Sequence, residues 1–165
     1  QPLITNRLIM RDFEEEDWKD AYEFLADEEV CKYMAFEPLD EEKSRAYIKK
    51  FLEYQTKQER SFYKFAVLLR ETKKIIGECG IVSPNIKSRT GEIVYRFNKK
   101  HWGLGYATEA VNEVTRFGFD ELALHRIVAF CDDRNKDFPA LGKPIGIIIF
   151  LPSSFIESKI LMIFS

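Results

Sequence analysis

The chain switches between two hydrophobic rhythms, one near 3.6 residues and one of 2, and each switch marks an element. Arg7-Leu8-Ile9-Met10-Arg11 is a short apolar run that predicts a first strand. Asp12 to Asp17 is acidic and leads into a helix on which Trp18, Ala21, Tyr22 and Leu25 fall at i, i+3, i+4 and i+7, one face. The acids suit its N-terminal turn, where the helix dipole favours negative charge, and Asp27-Glu28-Glu29 ends it. Pro38 and Asp40 announce a second helix. Asp40 is an N-cap residue type, Glu41 and Glu42 fill the first turn, and Tyr47, Ile48, Phe51 and Leu52 form the apolar stripe.

The rhythm then changes to two. From Phe62 to Leu69, Tyr63, Phe65, Val67 and Leu69 alternate with Lys64, Ala66, Leu68 and Arg70. A polar turn at Glu71–Lys74 leads back into a strand over Ile75–Val82, and a loop at Asn85–Gly91 leads into a strand over Glu92–Phe97. Strands joined by such short turns predict an antiparallel meander. A helix follows over about Thr108 to Leu122. Ala110, Val111, Val114, Phe117 and Gly118 share a face, while Glu109, Asn112, Glu113, Arg116 and Asp120 point elsewhere. His125 to Asp132 is a further strand. It follows strand, loop and helix, so it lies parallel to the Glu92 strand through a right-handed crossover. The prediction is an α/β (α+β) mixed sheet, an antiparallel meander followed by one parallel βαβ unit, with helices on both faces, in a single domain over residues 1–165.

The most informative stretch is the turn Lys99-Lys100-His101-Trp102-Gly103-Leu104-Gly105-Tyr106-Ala107-Thr108-Glu109-Ala110 between that strand and that helix. A glycine-rich turn there puts free backbone N–H groups at a helix N-terminus, where the dipole favours an anion. Gly103 and Gly105 let the backbone take unusual φ values and come close to a bulky phosphate. The reading is a pyrophosphate cradle. It is not the G-x-G-x-x-G dinucleotide fingerprint, and no Gly-Lys-Ser/Thr follows to make a P-loop. On spacing alone, a tight turn that simply needs two glycines fits equally well. Lys99, Lys100 and His101 meet phosphate in the first case and water in the second.

Composition narrows the class further. A chain of 165 residues with 45% hydrophobic and 32% charged residues is long enough for one domain with a real core. A net charge of −2 argues against nucleic-acid binding driven by bulk charge. No apolar run reaches the roughly 20 residues of a membrane span. Cys31, Cys79 and Cys131 are odd in number and widely spaced, which suggests reduced, buried thiols in a cytoplasmic protein, with no disulfide frame and no metal site.

Five pieces together resemble the GNAT superfamily of acyl-CoA-dependent N-acetyltransferases, and within it the Rim-type ribosomal-protein N-acetyltransferase branch. They are Thr5-Asn6-Arg7-Leu8-Ile9-Met10-Arg11; Ile76-Gly77-Glu78-Cys79-Gly80-Ile81; Gly91-Glu92-Ile93-Val94-Tyr95-Arg96-Phe97; Trp102 to Ala110; and Leu124-His125-Arg126-Ile127-Val128-Ala129 with Asp132-Asp133-Arg134-Asn135. They keep the family's order and spacing over about residues 3–136. The family cradle reads Q/R-x-x-G-x-G/A; here Trp102 stands at the first position, Gly105 at the glycine and Ala107 at the last.

The resemblance implies acetyl-CoA as cosubstrate, without a metal, and an amine acceptor, either a protein N-terminus or a small molecule, attacking the thioester directly. By the same resemblance, backbone N–H groups of about Gly103 to Thr108 (Gly103, Leu104, Gly105, Tyr106, Ala107, Thr108) hold the pyrophosphate, with Trp102 beside them. Asn135 bonds the pantetheine arm. A backbone N–H near Val94 to Phe97 on the splayed strand, Val94 foremost, receives the oxyanion. The amine must be neutral to attack, so a base is expected. Glu92 is the candidate for base or water positioning, with a solvated strand-start glutamate as the other reading. Tyr95 and Tyr106 are candidate acids or packing residues. Glu109 reads as a helix N-terminal carboxylate.

After Asn135-Lys136 the resemblance fails. Pro139, Gly142, Pro144 and Gly146 break the helix the family places there. Residues 137–165 are therefore atypical. Either they form a divergent pair of strands, beginning with the apolar run Ile147–Leu151, or they are the product of a frameshift. With the C-terminus remodelled or frameshifted, the alternative function is a catalytically inactive acyl-CoA-binding or interaction module. An uncovered Ile147–Leu151 strand would offer an edge for a homodimer.

Overall fold

The computed structural model of the chain describes residues 1–32, 34, 37–57, 60, 62–85, 87–129, 147–150 and 161–163, the last two segments as backbone. Among the described residues, eight strands form one sheet in chain order: β1 (Leu3–Ile4), β2 (Leu8–Arg11), β3 (Phe62–Leu69), β4 (Ile75–Asn85), β5 (Thr90–Phe97), β6 (Arg126–Ala129), β7 (Ile147–Phe150) and β8 (Leu161–Ile163). Neighbours pair antiparallel except β5 and β6, which pair parallel across α4 (Tyr106–Asp120). The mixed sheet expected from the sequence is thus the sheet observed.

Alternation along the strands splits the core in two. Phe65, Val67, Ile76, Cys79, Ile81, Ile93 and Phe97 face α4, meeting Ala110, Val111 and Val114. Ala66, Leu68 and Ile75 face α1 (Trp18–Leu25) and α3 (Glu41–Gln55), meeting Phe24, Leu25, Ile48 and Phe51. A two-residue period puts consecutive side chains on opposite faces, so one strand feeds both layers. Each fully buried side chain of this size contributes roughly 1.5–3 kcal/mol.

Several local expectations are corrected. Tyr22 does not belong to the inner face of α1 and is 37% exposed. The inward line runs through Ala21, Phe24 and Leu25 instead. Asp27 does more than end that helix: its carboxylate accepts from the N–H groups of Glu29 (2.9 Å) and Val30 (3.3 Å) and N-caps a one-turn helix, α2 (Glu28–Cys31). The acidic run Glu15–Asp17 is its own 3-10 turn ahead of α1. β4 runs on to Asn85 and β5 starts at Thr90, so the loop between them is shorter than predicted. Two elements behave as read: β3 spans Phe62–Leu69, and Asp40 accepts the Lys43 N–H (2.8 Å) at the start of α3.

At the C-terminal side, Ile147–Phe150 is a strand, as its apolar run predicts, with Ile127 opposite Phe150 and Ala129 opposite Ile148. It is not a bare edge, because β8 pairs along its other side. Cys31 and Cys79 are buried, reduced thiols, while Cys131 lies outside the described residues. Among the described residues, no helix is long and apolar enough to cross a membrane.

Candidate functional site

The parallel pairing of β5 with β6 runs from Thr90 opposite Arg126 to Glu92 opposite Val128, yet β5 continues to Phe97. Beyond Glu92, no described strand pairs with this edge of β5. That end of β5 leads into the glycine turn. The turn is tied to that end. Asn98 N–H donates to Ile76 O (2.8 Å), and the Trp102 indole N–H donates to Phe97 O (2.9 Å).

Gly103 (φ 73°) and Gly105 (φ 78°) both take the left-handed conformation, which other residues adopt only with strain. α4 begins immediately after Gly105, two residues before the predicted start. The first helical hydrogen bond runs from Glu109 N–H to Gly105 O (3.1 Å), and no side chain caps the helix. The N–H groups of Tyr106, Ala107 and Thr108 are thus the helix's orphan donors. A Cβ added at Gly103 would meet nothing within 4 Å, so the space over the turn is open. Orphan donors, a helix dipole and open space fit a bulky anion such as a pyrophosphate.

The rim of this turn is built by the N-terminal segment. Glu109, on the first turn of α4, accepts from Thr5 Oγ1 (2.6 Å), from Arg7 N–H (2.9 Å) and from Arg7 Nε (2.6 Å). Arg7 Nη1 donates to Leu104 O (2.9 Å), and the guanidinium lies 4.4 Å from the centre of the Tyr106 ring. Burial alone would raise the Glu109 carboxyl, but the hydrogen bonds from Thr5 and Arg7 outweigh it and hold it below the usual carboxylate range. Sequence reading left Glu109 as an outward helix carboxylate. It missed the contact because Arg7 and Glu109 are 102 residues apart and no local period links them. The available signal was that both lie in stretches resembling the family.

Glu92, Val94 and Arg96 point to the α1/α3 face of β5, whereas Ile93, Tyr95 and Phe97 point to α4. The two candidate catalytic side chains, Glu92 and Tyr95, therefore lie on opposite faces of β5. Tyr95 packs on the α4 core, its ring 6.3 Å from that of Phe97. Trp102 and Leu104 are exposed at the turn. Lys99 bridges Asp27 (2.9 Å) and Glu29 (3.5 Å), and Lys100 reaches Glu23 (3.5 Å). Those two lysines thus pair with acids of the α1–α2 region, beside an open hollow of about 630 Å³ lined by Asp27, Glu28, Glu29, Lys32 and Lys99. Asn135 lies outside the described residues.

Beneath the same face sits a charged cluster that sequence reading did not single out. Glu78 on β4 stands opposite Arg96 on β5 and accepts from Arg96 Nη2 (2.8 Å), Lys64 Nζ (2.9 Å) and Tyr47 Oη (2.8 Å). Desolvation would raise the Glu78 carboxyl, but the charges of Lys64 and Arg96 override it and lower it to about 2. Burial pushes the Tyr47 hydroxyl well up, so it stays protonated, and burial also lowers the Lys64 ammonium. Among the described residues, no group of three or more His, Cys, Asp or Glu is placed to hold a metal ion.

A parallel βαβ unit grafted on an antiparallel meander, with an uncapped helix start after a glycine turn, is the architecture of an acetyltransferase domain. The acetyltransferase (GNAT) domain family matches residues 7–146, and the chain belongs to that family. It is similar to YnaD, an uncharacterized N-acetyltransferase of Bacillus subtilis (strain 168), at 33% identity over 144 residues, covering 87% of this chain and 81% of YnaD. An acetyltransferase (GNAT family) from Bacillus anthracis superposes with a TM-score of 0.71 at 30% identity, over 82% of this chain and 76% of that one. The fold is shared with a spermidine N-acetyltransferase from Vibrio cholerae solved with CoA and spermine (TM-score 0.64, 21% identity, 76% and 71% covered). The chain is an acetyltransferase of this family.

Proposed function

We propose that the chain is an acetyl-CoA-dependent N-acetyltransferase of the Rim-type branch, acting on a primary amine of a protein N-terminus or a small molecule. The observation that carries this reading is the uncapped first turn of α4, entered through left-handed Gly103 and Gly105. Acetyl-CoA, when bound, supplies an acyl group activated as a thioester. The N–H groups of Gly103 to Thr108 bind its pyrophosphate, Trp102 walls the turn and Asn135 bonds the pantetheine arm. The backbone N–H of Val94 polarises the acyl carbonyl. Glu92 accepts the amine's proton, directly or through water, and Tyr95 stands on the other face of the strand as the candidate proton donor to the leaving thiolate. The buried, reduced Cys31 and Cys79 support a cytoplasmic setting.

The family match ends at residue 146, and this favours keeping a second reading: an acyl-CoA-binding module without turnover. Calorimetric titration of acetyl-CoA, followed by a thiol-release assay over a panel of primary amines, tests both. Binding that is lost in Gly105→Glu, together with release of CoA thiol, supports the transferase. Binding without thiol release on any amine supports the second reading. No binding by a cooperatively melting wild type sinks both. Glu92→Gln is expected to lower kcat by 10²–10⁴-fold with little change in acetyl-CoA affinity.

A further inference from the structure

Arg7 makes more contacts at the glycine turn than a strand-start arginine needs. Its Nε and main-chain N–H go to Glu109, its Nη1 goes to Leu104 O, and its guanidinium covers the Tyr106 ring. Leu104 stands between two left-handed glycines, Gly103 and Gly105. Glycine tolerates both signs of φ, so the peptides around Leu104 are the ones a turn can flip at low cost. The peptide bonds are trans, and a trans peptide points its C=O and its N–H in opposite directions. When Leu104 O accepts from Arg7, the N–H of the same peptide, that of Gly105, points away from Arg7.

We propose that Arg7 is a positioning residue of the cradle. It holds the Leu104–Gly105 peptide in the orientation that aims the Gly105 N–H toward the anion, and Glu109 holds Arg7 in place. The inference rests on the acyl-CoA reading of the turn. It adds to that reading a dependence of cofactor affinity on a segment about a hundred residues away in sequence. Thr5 belongs to the same device, since its hydroxyl fills the remaining approach to Glu109 Oε1 (2.6 Å). The side chain of Glu109 is only 18% exposed, so the pair is fixed from one side by packing.

The test uses the full chain with free CoA as the probe, in wild type, Arg7→Ala, Arg7→Lys and Glu109→Gln. Two quantities are read: the amide ¹H–¹⁵N shifts of Gly103, Gly105 and Tyr106 without CoA, and the calorimetric Kd. Arg7→Ala is expected to move the Gly105 amide and weaken CoA by about tenfold or more, with the thermal midpoint within a few degrees of wild type. Arg7→Lys is expected to recover part of the affinity, because an ammonium reaches Leu104 O but cannot bridge to Glu109 as a fork. Glu109→Gln separates positioning from a direct charge contact. Positioning predicts weaker CoA binding, whereas a pure charge contact predicts equal or tighter binding once the neutralising carboxylate is gone. An unmoved Gly105 amide in Arg7→Ala overturns the proposal, as does a Kd within twofold of wild type. If wild type binds no CoA yet the Gly105 amide moves in Arg7→Ala, the cofactor reading fails and the peptide lock stands.

Discussion

Among the arginine–glutamate pairs of the described residues, Arg96–Glu78 and Arg7–Glu109 have similar geometry in very different surroundings. Arg96 and Glu78 meet at 2.8 Å with side chains only 2% and 3% exposed. Arg7 and Glu109 meet at 2.6 Å with 42% and 18% exposed. The first pair joins neighbouring strands and is closed over by Lys64 and Tyr47. The second joins the N-terminal segment to the rim of the glycine turn. In the interior, losing one partner leaves a charge that water cannot reach. At the rim, water replaces the lost partner at little cost. On our proposal the same chemistry serves rigidity beneath β5 and geometry beside the glycine turn, and substitutions tell the two roles apart.

The largest effect is expected at Glu78. Glu78→Gln leaves Arg96 and Lys64 buried without their carboxylate and is expected to cost about 3–5 kcal/mol in denaturant unfolding. A loss under about 1 kcal/mol would mean that the cluster is not a structural charge network. The same residue sets an acid sensitivity. Its carboxyl is lowered to about 2 from an ordinary 4.5, so its contribution is present above the ordinary value and lost as pH falls toward about 2. In a plot of unfolding free energy against pH, wild type should lose stability more steeply below about pH 4.5 than Glu78→Gln does. Parallel curves would remove Glu78 as the cause.

Next comes Tyr47. Its hydroxyl donates to Glu78 and accepts from Lys64 Nζ (2.6 Å) and Arg96 Nη2 (3.0 Å). Tyr47→Phe keeps the ring in the α3 stripe and removes one acceptor from two buried cations, for an expected loss of about 1–3 kcal/mol. Asp40→Ala removes the N-cap of α3 and an exposed ion pair with Lys43, and is expected to cost about 1 kcal/mol. An equal loss at both sites would mean that the interior cluster is no more sensitive than an exposed cap.

This contrast also explains what the sequence displays and what it hides. The strands β3 and β5, the helix α3 with its Asp40 cap, and the parallel return into β6 follow from short-range periods, which a chain displays along its own length. The glycine turn is legible for the same reason, since Gly103 and Gly105 announce a backbone that other residues cannot adopt cheaply. The charged cluster is not. Lys64 reads as the polar half of an alternating strand, and Glu78 as one acid between glycine and cysteine. Only the register Glu78 opposite Arg96, with α3 laid across it, makes them a unit. The sequence pattern puts Tyr22 inward and passes over Phe24 because an eight-residue helix has too few turns to fix which of two neighbouring lines faces inward. Arg7 escaped notice because its partners are supplied by chain closure, and spacing along the sequence says nothing of that.

The smallest expected effect on stability completes the comparison. Arg7→Ala removes the Glu109 ion pair, the bond to Leu104 O and the cover over Tyr106. With Arg7 nearly half exposed, the ion pair itself is expected to contribute roughly 0.2–1 kcal/mol, and water takes over the freed oxygens of Glu109 and Leu104. The global unfolding free energy should therefore change by less than about 1 kcal/mol, and the small ionic part should shrink further in 0.5 M salt. The informative result is the mismatch between the two pairs. Substitution at the cradle should leave the melt almost untouched while shifting CoA affinity, whereas substitution beneath β5 should lower the melt. If Arg7→Ala instead unfolds the protein as readily as Glu78→Gln, the N-terminal segment is part of the core's support, and its contacts at the glycine turn are a by-product of docking β2.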